Sequence, residues 1–144
     1  MVDIKEEKTK LILTWKIPIQ KLKLTKNNVD YYSYRASLPI DLKNYLEHKY
    51  LNGGKLTVVE FHKSNNNDFF IVGTNENNNN VDDDTYIGKS KLTTDKNGHL
   101  YFNLPLKIKE FKTSLKEDRD CYLKYILEYS TKYKQYLMFI KILN

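Results

Sequence analysis

The feature that most restricts the fold is a strand pattern written twice. Tyr32, Tyr34, Ala36 and Leu38 alternate with Tyr31, Ser33, Arg35 and Ser37 and run into Pro39; Leu100, Phe102 and Leu104 alternate with His99, Tyr101 and Asn103 and run into Pro105. Period-two alternation places one face of a strand on a core and the other in water. A proline donates no ladder hydrogen bond, so each pattern stops there. The two Leu-Pro elements are 66 residues apart, and the elements Lys23-Leu24-Thr25 and Lys91-Leu92-Thr93 ahead of them are 68 apart. Two of the chain's three prolines take part, and the pattern reads as an internal repeat of a β unit.

The remaining segments fit that unit. Each Pro is followed by helical spacing (Leu42, Tyr45 and Leu46; Ile108, Phe111 and Leu115), which predicts a turn or two of helix per copy. Asn52-Gly53-Gly54 then breaks the chain before a β-branched strand, Lys55 to Phe61, whose hairpin partner is Phe69 to Thr74. In the second copy, strands at Cys121 to Tyr129 and Tyr136 to Leu143 flank a turn at Ser130 to Lys134, and Leu11 to Ile19 reads as an extra strand before the first copy. Asp95-Lys96-Asn97-Gly98 carries the Asn-Gly pair of a tight hairpin turn. The expected fold class is mainly β with a short helix in each of two tandem β units.

Charge divides the chain in the same place. The 24 Lys+Arg and 18 Asp+Glu give a net +6, distributed as +5 over residues 1–63, −5 over 64–84 and +6 over 85–144. Asn75 to Asp84 has no periodicity and almost no apolar residues, so it reads as a linker, and it lacks the Gly and Glu that a calcium loop needs at positions six and twelve. The expected organisation is a first β unit at 1–74, an acidic linker at 75–85 and a second unit at 86–144. A length of 144 residues suits one domain or two very small ones. No long apolar run suggests a membrane span, and the charged N-terminus does not resemble a signal peptide. One cysteine and no Asn-x-Ser/Thr sequon point to a reducing, cytoplasmic address.

Enzyme chemistry is poorly represented. His48, His62 and His99 stand apart without second ligands at metal-like spacing, Cys121 lies on the apolar phase of its strand, and no Gly-rich phosphate loop occurs. Neither catalysis nor a metal or cofactor is therefore expected. The basic residues say more. Lys21 with Lys23, and Lys89 with Lys91, alternate so that each pair points to one side of a strand; Lys26 and Lys96 fall near hairpin tips, and Arg35 is on the outward phase. Cations on a twisted hairpin suit a β-ribbon reader of duplex DNA, with Lys on phosphates and Arg at a base edge. The same composition suits ordinary solubilising charge, since 22 of the 24 cations are lysines.

The order of hairpin strand, Asp/Asn turn, strand ending in Leu-Pro, short helix and second hairpin resembles the AbrB/SpoVT swapped-hairpin domain. The resemblance is carried by Arg35-Ala36-Ser37-Leu38-Pro39-Ile40-Asp41-Leu42, and by Asp95-Lys96-Asn97-Gly98 with Leu104-Pro105-Leu106-Lys107-Ile108. The family's Arg four residues before the Pro corresponds to Arg35, where the second copy has Tyr101. Two such units in one chain look like the tandem organisation of MraZ proteins. The family's Gly-Arg after the turn is absent, and its Leu-Gly-Ile/Val segment followed by Gly-Asp is replaced by Tyr45-Leu46-Glu47-His48 and Asn52-Gly53-Gly54-Lys55. The resemblance implies two tandem swapped-hairpin-like units packing as an intramolecular pseudo-dimeric barrel, and a non-enzymatic transcriptional regulator whose two hairpins lie on one side and contact duplex DNA through Lys21, Lys23, Lys26, Arg35, Lys89, Lys91 and Lys96. It leaves homo-oligomerisation open. Two alternatives stand beside it: a protein-interaction or structural β-module, and a single-strand-binding barrel with Tyr31, Tyr101 or Tyr122 stacking on bases.

Overall fold

The computed structural model describes residues 13–76, 84–115 and 120–144. The strands are β1 (Leu13–Pro18), β2 (Gln20–Lys26), β3 (Val29–Leu38), β4 (Val58–Lys63), β5 (Phe69–Thr74), β6 (Tyr86–Lys91), β7 (Thr93–Thr94), β8 (Leu100–Asn103), β9 (Tyr122–Ser130) and β10 (Gln135–Leu143). Helices α1 (Ile40–Leu51) and α2 (Lys109–Leu115) follow β3 and β8. The fold is mainly β. All the strand pairs are antiparallel, in a six-stranded sheet ordered β1-β9-β10-β5-β4-β6 and a four-stranded sheet ordered β2-β3-β8-β7.

Both orders read the same backwards once β1 is exchanged with β6, β2 with β7, β3 with β8, β4 with β9 and β5 with β10. The repeat is therefore present as an approximate two-fold in the strand order. Its axis can be placed: Ala36 stands opposite Phe102 in the β3–β8 ladder, and these two residues are separated by the same 66 positions as the Leu-Pro elements. The first strand of each half is exchanged, since β1 pairs with β9 and β6 with β4. The strand Leu13–Pro18 is thus the counterpart of β6, and not an extra element.

Each exchanged strand bends from one sheet into the other. Between β1 and β2 the bend is at Ile19, whose N–H donates to the Cys121 carbonyl at 2.8 Å; between β6 and β7 it is at Leu92, whose N–H donates to the Thr57 carbonyl at 2.9 Å. Pro18 lies just before the first bend on the edge strand β1, where a missing N–H costs no ladder bond. The Lys-Leu-Thr elements do not share this correspondence. Lys23-Leu24-Thr25 lies in β2 of the four-stranded sheet, whereas Lys91 ends β6 of the six-stranded sheet.

The core fills the space between the sheets. Phe61 meets Phe102 at 5.9 Å and Phe111 at 5.7 Å between ring centroids, joining β4, β8 and α2. Tyr125, wholly buried on β9, donates its hydroxyl to the Ser37 carbonyl of β3 at 2.8 Å, and the Ser90 hydroxyl of β6 donates to the Asn103 carbonyl of β8 at 2.6 Å, so hydrogen bonds tie the two sheets together. Cys121 is buried, and burial together with the nearby Asp120 charge raises its thiol pKa. Helix α1 is longer than the expected turn or two: it runs 12 residues up to Asn52, which takes the left-handed conformation at φ 48 and closes it. It packs directly onto Gly73 of β5, where an added Cβ would stand 2.7 Å from Leu56 Cδ1 and 3.1 Å from Leu46 Cβ. Of the expected linker, residues 77–83 lie outside the described residues; Glu76 forms an ion pair with Lys91 at 3.3 Å.

Candidate nucleic-acid interface

Strands β2 and β3 form a hairpin that outgrows the body of the molecule. Pairing runs from Gln20–Arg35 to Lys26–Val29, and every residue of β2 is exposed on whichever face it lies. Only the Arg35–Leu38 end of β3 is held by β8. The ribbon is closed by Asn27 and Asn28 at φ 54 and 63, the doubly left-handed conformation of a type I′ turn, which asparagine tolerates better than most residues. Two asparagines thus do here what glycine does at Gly98 (φ 83) in the β7–β8 turn.

The register fixes the two faces of the ribbon. One carries Lys21, Lys23 and Thr25 with Asp30, Tyr32 and Tyr34; the other carries Gln20, Leu22, Leu24 and Lys26 with Val29, Tyr31, Ser33 and Arg35. On the first face the Lys21 ammonium lies 4.5 Å from the centre of the Tyr32 ring, a cation–π contact. Asp30 accepts from the Thr25 hydroxyl at 2.8 Å and sits 3.4 Å from Lys23 Nζ. On the second face Arg35 Nε donates to Gln20 Oε1 at 2.7 Å, and its guanidinium lies 4.3 Å from the Tyr101 ring centre. Arg35 is therefore held at the base of the ribbon by two neighbouring strands, with the plane of its fork fixed.

The expected site residues separate into three groups. Lys21, Lys23, Lys26 and Arg35 share the ribbon, although Lys21 and Lys23 point to the face opposite Arg35. Lys89 and Lys91 are not on a hairpin of the same sheet; they stand on β6 at the edge of the six-stranded sheet, opposite Glu60 and Val58. Lys96 sits in the β7–β8 turn, which the antiparallel β3–β8 register places at the other end of the four-stranded sheet from the ribbon tip. The expected single basic side bearing both hairpins is thus replaced by one basic ribbon. Lys23-Leu24-Thr25 and Lys91-Leu92-Thr93 are alike in sequence, but so short a match can fall on strands with different partners, as it does here.

The sequence reading also missed an apolar stripe on the Arg35 face. Leu24 is 64% exposed, Tyr31 53%, Val29 49% and Leu22 38%. The alternation of Lys21-Leu22-Lys23-Leu24 announced an apolar face, but nothing local says whether another layer covers it. The histidines do not gather: among the described residues no group of three or more His, Cys, Asp or Glu could hold a metal ion. Also among these residues, no helix is long and apolar enough to cross a membrane.

In comparisons with known proteins, no family model, no curated protein and no solved structure matches this chain.

Proposed function

We propose that this protein is a non-enzymatic, DNA-binding transcriptional regulator that grips duplex DNA with the β2–β3 ribbon. The observation that carries this reading is a ribbon exposed on both faces, bearing four cations against one acidic residue that is already engaged by Thr25 and Lys23. A ribbon lying in a groove faces a phosphate wall on each side, and this one offers Lys21 and Lys23 to one wall and Lys26 to the other, leaving Arg35 for a base edge. The lysines supply salt-sensitive affinity; Arg35, its fork oriented by Gln20 and Tyr101, supplies base readout. An AbrB/SpoVT-like origin for the tandem unit agrees with the exchanged first strands.

A second reading rests on the apolar stripe. Leu22, Leu24, Val29 and Tyr31 would serve a protein-interaction module, in which the ribbon docks on another protein and the lysines keep the free form soluble. Fluorescence anisotropy with a mixed-sequence duplex and with a single strand of the same length separates the possibilities. The DNA reading expects saturable duplex binding at ~50 mM salt, with Arg35→Ala flattening differences between sequences more than it weakens average affinity. Indifference to both nucleic acids favours the interaction module, and preference for the single strand favours stacking on exposed tyrosines.

A further inference from the structure

The six-stranded sheet turns a second, differently built surface outward. Leu13, Trp15 and Ile17 of β1, Leu123, Tyr125 and Leu127 of β9, and Met138, Ile140 and Ile142 of β10 pack on the core, so the residues alternating with them face away from it. The register then sets Lys16 opposite Lys124 and Lys124 opposite Lys141, three cations in one row across three neighbouring strands. Lys16 and Lys141 are exposed and Lys124 is half-buried. The rows on either side are mostly apolar: Thr14, Ile126 and Phe139 on one, Pro18, Tyr122 and Leu143 on the other.

The other half of the molecule shows that the fold does not demand this row. The two bend hydrogen bonds, from Ile19 N–H to the Cys121 carbonyl and from Leu92 N–H to the Thr57 carbonyl, make Lys16 and Lys124 the counterparts of Lys89 and Glu60, at equal steps along their strands. Phe139 faces Phe70 where β10 meets β5, so Lys141 corresponds to Val72. The equivalent row is therefore Lys89, Glu60 and Val72, with opposite charges side by side. Like charges directly across a ladder repel, because their Cβ atoms are only about 5 Å apart. Among the described residues no acidic side chain pairs with Lys16, Lys124 or Lys141. Glu128, on the same face of β9, stands beyond the Ile126 row, and Lys16 instead places its ammonium 4.4 Å from the centre of the Tyr122 ring.

We propose that this row is a second nucleic-acid site, one for a single strand, whose phosphates lie along Lys16, Lys124 and Lys141 while a base stacks on Tyr122. Three strands span about 10 Å, so the row presents a line of charge and not a point, which fits a linear polyanion. A duplex shows an open sheet face its phosphates alone, whereas a single strand also offers ring faces to the apolar rows beside the lysines. A phosphate that draws Lys16 off the Tyr122 ring frees that ring face for stacking. The site is separate from the ribbon, and either assignment can fail without the other.

The test is an anisotropy titration of the full chain carrying Lys21→Ala, Lys23→Ala and Lys26→Ala, which removes the ribbon's lysines, with a labelled oligothymidylate of about 8 nucleotides. The proposal expects saturable binding with a log–log salt slope of about −2, from three lysines at about 0.7 per phosphate contact. Adding Lys16→Gln, Lys124→Gln and Lys141→Gln should abolish that binding and leave the urea midpoint unchanged or higher, since the substitutions relieve like-charge repulsion. Tyr122→Leu should weaken the oligonucleotide about 5-fold or more and leave the affinity for inorganic triphosphate, a competitor without bases, unchanged. Absence of oligonucleotide binding, binding that survives the three glutamine substitutions, a duplex bound as tightly as the single strand, or triphosphate competing with the affinity of the oligonucleotide would overturn the proposal.

Discussion

The two hairpins of the four-stranded sheet occupy equivalent positions about the Ala36–Phe102 pair and differ in reach. The β7–β8 hairpin pairs over the two residues of β7 and turns through Asp95 to Gly98, whereas the β2–β3 hairpin pairs over all seven residues of β2. The short one shows what the fold requires: enough strand to seat Leu100 and Phe102 on the core. The extra length of the other adds nothing to that core, because its apolar residues Leu22, Leu24, Val29 and Tyr31 are exposed while Ala36 and Leu38 at its base are buried. The segment is ordered by its own ladder and turn and buries little, which is why the proposed DNA contact is placed there. The comparison thus separates a buried base from an exposed extension within a single strand, β3.

The largest expected effect breaks the base. Phe102→Ala removes a ring 1% exposed at the pseudo-two-fold and in contact with Phe61. It should destabilise the protein by about 3–5 kcal/mol in urea unfolding, whereas Leu24→Ser on the extension should change stability by under ~0.5 kcal/mol. Next comes a buried tie between the sheets: Tyr125→Phe leaves the Ser37 carbonyl without its 2.8 Å donor. That change should cost about 1–2 kcal/mol in the same assay.

The turns give a finer contrast. The Asp95 carboxyl is held below its ordinary value, chiefly by the backbone N–H of His99, with those of Asn97 and the His99 ring adding to the effect. A group with a lowered folded pKa contributes stability above the unfolded value of 3.8 and loses it as pH falls through the lowered one. Below about pH 4, then, amide signals of Asn97 and His99 should shift and lose protection relative to their intrinsic exchange rates. Those of Asn27 and Asn28, whose turn holds no carboxylate, should move less. A uniform response of both turns would show that the Asp95 contacts do not set the local stability. The smallest effect belongs to the exposed pair on the ribbon: Lys23→Ala should change unfolding by less than ~0.5 kcal/mol while still weakening DNA binding.

Much of the base was legible in the sequence. Alternation through Tyr34, Ala36 and Leu38, the stop at each Leu-Pro, and the Asn97-Gly98 turn are local signals, and the structure forms strands and a turn there. Partner choice was less legible. Whether Leu13–Pro18 pairs within its own half or across to β9 depends on contacts far apart in the chain, and so does the destination of Lys89 and Lys91. Helix α1 outran its apolar spacing because the break is set by the left-handed Asn52, not by the last apolar residue. The row of lysines was hidden for the same reason. Lys16, Lys124 and Lys141 lie on three separate strands, and only the β1–β9–β10 register brings them side by side.

The central claim, that the extended ribbon is a DNA-binding arm, is most directly tested by the salt dependence of duplex affinity. Anisotropy titrations at several salt concentrations should give a log–log slope of about −3 for the three lysines at about 0.9 per phosphate contact. Replacing Lys21, Lys23 and Lys26 with Ala should bring that slope close to zero without altering the folded far-ultraviolet spectrum. A wild-type protein that does not bind duplex at ~50 mM salt, or a triple variant whose slope matches the wild type, would contradict the account.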